Sequence, residues 1–441
     1  MHDARGNLVS TASAQALAHH EYASWQLVAF YGDPLATLDA AIAADPGWAL
    51  ARVAKAALLL SLTEPNVVAR ARDILAEAQP LLKDANARER AHHAAALLCA
   101  QGLWREACDA WDAILLDHPR DILALMNAHL FDFYRGDARN LRARIARVLP
   151  QWDAAVPLYA YVLGMYAFGL EESNLYPQAE EAGRASLALD ARGPWAIHAV
   201  AHAFEMQGRH AQGRAWLEER RPDWTIDNGL SVHLWWHLGL FQLETLATGE
   251  AVALYDAQLG TDASTINLQW LDAAALLWRI ELLDVDVGRR WAALAARWAD
   301  PIGHAGFYAF NDVHAALALI GSGDFARAQA LLDRALPAQG DNRAMASEVG
   351  VPLLQAMLDH AQGRHDAAAT ALYGLRARAH RFGGSHAQRD LIDQTALAAC
   401  ALGSRKDLGR ALLNERCLAK PPTPLTAHWA SQLGLVLPGP N

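Results

Sequence analysis

Long apolar runs are missing from this chain: no window approaches the roughly eighteen uninterrupted apolar residues of a membrane-crossing helix. The opening stretch, "MHDARGNLVSTASAQALAHH", has neither a basic start leading into an apolar core nor a cleavage-site pattern. The expectation is a cytoplasmic protein with no membrane partner. Cysteine is scarce, and Cys99, Cys108, Cys400 and Cys417 show no Cys-x-x-Cys spacing, so they are expected as buried, reduced thiols. Lysine is rare beside arginine, no block of like charge stands at either end, and the net charge is −10. On that balance nucleic acid is not expected as a partner. Sustained alternation of β-branched residues is also lacking, which argues against strands.

Familiar catalytic signatures are absent too. There is no Gly-x-Ser-x-Gly elbow, no phosphate-cradling Gly-x-x-x-x-Gly-Lys, and no His-Glu-x-x-His. What remains is an Ala- and Leu-rich chain, 53% hydrophobic, with apolar residues at helical spacing. At 441 residues it exceeds one compact core, and therefore divides into domains or grows by repetition.

Repetition is visible. In "AHHAAALLCAQGLWREACDAWDAILLDHPRD" a small-residue helix ends at Gly102, Trp104 follows, then Ala107 and Trp111, and Pro119 closes the unit. The same order recurs in "GRHAQGRAWLEE" and in "GDFARAQALLDRALP", with Gly323, Phe325, Ala328, Ala335 and Pro337. This is the tetratricopeptide pattern, two antiparallel helices per repeat, each pair burying one face on its partner and another on the next pair. The fold class is all-α, an α-α superhelix built as a tetratricopeptide-type solenoid of degenerate helix pairs. The expected layout is an N-terminal segment at 1–20, a solenoid of about 9–11 helix pairs over 21–420, and a tail at 421–441.

Histidines punctuate two of these helices. In "WAIHAVAHAFEMQGRH" the apolar Ile197, Val200, Ala201 and Phe204 share one side, whereas His198, His202 and Glu205 fall about 100° or more away at ~100° per residue. In "LSVHLWWHLGLFQLE", with Trp235, Leu238, Gly239 and Gln242 as the packing positions, His233, His237 and Glu244 share a second such stripe. If consecutive first helices lie side by side, both pairs face one concave wall. His314, on the equivalent stripe of a later helix, and Glu171, in the register of Glu205 one repeat earlier, extend the cluster. Asp272 and Arg279 lie on a further helix, whose Trp270 and Trp278 read as core.

Three readings fit these residues. Imidazoles at i and i+4 share a divalent cation, so His198, His202, His233 and His237 with Glu171 or Glu205 are a candidate ligand set, and a divalent metal is the candidate cofactor of a hydrolase. Alternatively the histidines, with Arg279, are the polar floor of a groove for a small polar ligand or a peptide segment. In the third reading they are incidental to a protein-binding scaffold. The polar "HRFGGSHAQRD" either caps a helix through Ser385 or reaches the groove.

With "AIHAVAHAFEMQGRHAQG", "VHLWWHLGLFQLE", "LDAAALLWRIELL" and "FGGSHAQRD" in this order, the chain resembles the tetratricopeptide repeat protein 38 family. The resemblance implies an α-solenoid and singles out His198, His202, Glu205, His233, Trp236, His237, His386, Gln388, Arg389 and Asp390.

Overall fold

The structure, a computed structural model, describes residues 1–261, 266–336 and 339–437. Among these residues no strand forms; His2 with Leu8 and Tyr31 with Asn228 make isolated bridges. The chain is all-α, and its contacts divide it into two compact units, 1–200 with 222–230, and 201–221 with 231–441. Each is a stack of helix pairs of tetratricopeptide type. Pro337, expected to close a repeat, and residues 438–441 of the tail lie outside the described residues.

The pairs arise from short, punctuated connections. Helix Ala87–Ala100 meets Trp104–Asp117 after three residues, and the two pack on each other. Two helices joined by so short a link and in contact along their length must run antiparallel. Gly102, at φ 80, makes the reversal, a left-handed conformation that a Cβ penalises. Gly323, also at φ 80, does the same between Ala309–Gly321 and Phe325–Ala335. Side-chain caps open other helices, among them Asn86, Asp121 and Asp137, each accepting from a backbone N–H of the first turn.

Small residues set how closely the pairs approach. In the first unit a Cβ on Gly169 would lie 2.6 Å from the carbonyl oxygen of Leu141 and 2.7 Å from Arg142 Cα. Backbone cannot swing aside as a side chain does. Gly169→Ala is expected to cost about 1–3 kcal/mol as overpacking, read from urea denaturation; an unchanged midpoint would refute the close contact.

In the first unit the stretch read as an N-terminal segment already carries helix from Ala14 onward. In the second, Pro424–Gln432 is helical within the stretch read as a tail, and buries Leu425 and Trp429. All four cysteines are free thiols; Cys417 is half-buried where full burial was expected. Among the described residues no helix is long and apolar enough to cross a membrane.

Candidate functional site: a histidine cluster beside a charged cavity

Helix Pro194–Met206 is shared between the units, His198 falling on the first unit's side of the division and His202 on the second's. In the first unit, His198 is buried against the rings of Phe168 and Trp195, with centroids 5.1 and 5.8 Å away. Glu171 ends helix Tyr159–Glu171 and is fully buried there.

The second unit assembles the remaining histidines. Helix Ser231–Glu244 begins with His233 and presents His237 one turn later. The His202 and His237 rings are 4.4 Å apart at 61°, and His233 and His237 are 4.8 Å apart at 89°. One ring nitrogen of each lies within 4.8 Å of the others. These side chains were expected on a polar stripe facing an open wall. Instead His202 and His237 are fully buried and His233 is half-buried. Every residue from Trp236 to Glu244 is buried, so beyond its first turn this helix has no wet side.

Carboxylates stand behind two of the rings. Asp272, on helix Asn267–Glu281, lies 2.9 Å from His233 Nδ1, and Glu205 Oε2 lies 3.4 Å from His237 Nδ1. The Asp272 contact is a hydrogen bond, and a carboxylate so placed on one imidazole nitrogen fixes the tautomer and aims the other nitrogen. Trp236 completes the layer: its ring stacks on His233 at 5.1 Å and 20°, and the Arg279 guanidinium sits 5.5 Å from its centroid. Arg279 itself donates to the carbonyls of Ala275, Ala387 and Gln388, tying this helix to the start of His386–Leu402. Burial lowers its pKa to about 10. His314 packs against the Phe310 ring at 4.5 Å, tilted by 39°, and bonds that residue's carbonyl through Nδ1 at 2.8 Å. Burial brings its pKa down to about 4, so it is neutral.

Glu205 also faces the other way. It lines a cavity of about 600 Å³ together with His386, Arg389, Asp390, Arg416 and Lys420. Burial raises its pKa to about 7, against the opposing charges of Lys420 and His202. "FGGSHAQRD" contributes two things here. Ser385 and Gln388 form a reciprocal capping box at the start of His386–Leu402, so the Gln388 side chain, expected at a ligand, is engaged in the helix cap. His386, Arg389 and Asp390 line the cavity.

Several cavity residues carried no sequence signal. Arg416 is ion-paired with Asp390, and Lys420 donates to Glu244 at 2.6 Å, which also accepts from Thr423. Glu244, expected beside His233 and His237 on their stripe, thus pairs with a lysine 176 residues away. Periodicity within one helix cannot report such a partner. Trp278 is buried as expected; Trp270 is half-buried against Trp298, 5.4 Å away.

No family model matches the chain, and the resemblance to the tetratricopeptide repeat protein 38 family stands at the coarser level of a helical-repeat fold. Among solved structures, the chain is similar to a human IFIT1 dimer with PPP-AAAA, at 12% identity over 83% of this chain and 86% of that one, with a TM-score of 0.42. It is also similar to a human IFIT1 dimer with m7Gppp-AAAA, at 12% identity over 93% and 94%, TM-score 0.42. A monomeric IFIT1 mutant with Gppp-AAAA matches at 13% identity over 87% and 90%, TM-score 0.41. One expectation is corrected here. The exclusion of nucleic acid drawn from a net charge of −10 is withdrawn. Net charge sums the whole surface, whereas binding responds to the local field.

Proposed function

We propose that the second unit carries a divalent-cation centre at His202, His233 and His237, and that the protein acts as a metal-dependent hydrolase on a small polar substrate held in the adjoining cavity. The observation that carries this reading is the convergence of three ring nitrogens within 4.8 Å, two of the rings backed by the carboxylates of Asp272 and Glu205. Buried imidazoles brought this close cannot all be protonated without mutual repulsion. A cation bound to their neutral nitrogens turns that cluster into a favourable one, and imidazole donors suit zinc and related ions. Such an ion activates water, and the wall that Glu205 shares with the cavity puts a substrate within reach. We place this activity in the cytoplasm, where free thiols such as Cys99 and Cys400 stay reduced.

The test is elemental analysis of the full chain purified without a histidine tag. Wild-type protein is expected to retain a stoichiometric divalent metal after dialysis, and the H202A/H237A variant to retain none while its helical signal persists. D272N keeps all three ring donors but exchanges the carboxylate behind His233 for a neutral amide, so its zinc affinity should fall by about 10–100-fold. Absence of stoichiometric metal in the wild type defeats the proposal. In that case the second reading, a metal-free cavity binding its ligand through polar side chains, takes its place.

A further inference from the structure

The cavity that Glu205 shares with the histidine cluster presents two groups of opposite charge with hydrogen-bonding capacity to spare. Asp393, on helix His386–Leu402, accepts no hydrogen bond from any described residue, and its nearest cation, Arg416, stands 4.0 Å away. Its side chain retains 32% exposure, toward the cavity it lines. The neighbouring Asp390 is different, since Arg416 and the Gln394 amide both bond it. Lys420 has the complementary surplus: one N–H reaches Glu244 at 2.6 Å, and the ammonium has two further donors. Arg376, also at the cavity, is matched inside the protein by Glu415 at 3.0 and 3.1 Å.

A simple anion would satisfy Lys420 and be repelled by Asp393, and a simple amine would meet the reverse. A ligand carrying both an ammonium and a carboxylate satisfies both groups at once. From this pairing we infer that the cavity recognises small zwitterions of the amino-acid type, a free amino acid or short peptide, with its ammonium on Asp393 and its carboxylate on Lys420. About 600 Å³ accommodates a molecule of that size. The inference deepens the proposed function by naming the substrate class, and rests on that reading for the cavity's being the substrate site.

Calorimetric titration of the full chain tests it with three probes: alanylalanine, its N-acetyl derivative without the ammonium, and its C-terminal amide without the carboxylate. Alanylalanine is expected to bind about 10–100-fold more tightly than either derivative, as losing a hydrogen bond to a charged group implies. D393N should lose affinity for the dipeptide while leaving that for the N-acetyl compound unchanged, and K420M should do the same with respect to the amide. Equal affinity for all three probes, or no binding of alanylalanine by the wild type, overturns the inference whether or not the variants fold. Metal content measured on the same samples separates the two ideas: bound metal without dipeptide binding sinks this inference alone, and dipeptide binding without metal sinks the metal centre alone.

Discussion

Replacing Arg416 by leucine is expected to lower the unfolding free energy by about 3 kcal/mol, because it strands a carboxylate in the protein interior. The Arg416 side chain is 7% exposed and that of Asp390 19%. Burial alone would drive the Asp390 carboxyl upward. Arg416 and Lys420 outweigh it and hold the group well below the usual carboxylate range. With leucine at 416 the charged form of Asp390 keeps only the Gln394 amide and the more distant lysine. Two mutually packed helices, His386–Leu402 and Lys406–Ala419, are joined at this point, so the loss falls on the contact between them. The double variant D390L/R416L should recover most of the loss, since buried ion pairs replaced by apolar residues of similar volume are often neutral. Urea denaturation of wild type, both single variants and the double variant completes the cycle. A single R416L that unfolds with the wild type would mean that the pair contributes nothing.

Asp312 gives the second large effect, with the opposite sign. This residue lies in the first turn of helix Ala309–Gly321, and burial raises its pKa from 3.8 to about 7, opposed by a hydrogen bond from the Gly306 N–H at 3.0 Å. A carboxyl with a raised folded-state pKa binds its proton more tightly in the native than in the unfolded chain. Stability therefore falls as pH rises from about 4 to about 7, and levels off above that. Asn mimics the protonated carboxyl and does not titrate. D312N should thus match the wild type near pH 4 and exceed it by up to about 4 kcal/mol at pH 8, at 1.36 kcal/mol per pKa unit. Urea midpoints of the two proteins across that range decide the matter. A difference that does not change with pH would show that Asp312 titrates as an exposed carboxyl does.

Local features were legible in the sequence, because their physical cause lies within one helix or one turn. Gly102 before Trp104, and Gly323 before Phe325, mark reversals that the structure makes at φ 80. Ser385 at the start of its helix is a cap readable from residue type, whereas the part of Gln388 in that cap was not read. The His-x-x-x-His spacing places His233 and His237 one turn apart whatever surrounds them. The environment of those rings could not be read in the same way. A polar residue on a computed stripe says nothing of what covers the stripe, and in Ser231–Glu244 packing comes from every side. Nor does spacing connect Glu244 to Lys420 or Arg279 to Ala387, whose contacts join helices far apart in the chain.

By itself, then, the sequence determined the class of fold, the turns between helices and the one-turn spacing of the paired histidines, since helix geometry and glycine stereochemistry act over a few residues. Only the tertiary structure decided that His202, His233 and His237 converge, that carboxylates back two of them, and that Glu205 turns from them to a charged cavity. Burial and the partners of a buried charge depend on which distant helices pack against it, and no local pattern carries that information.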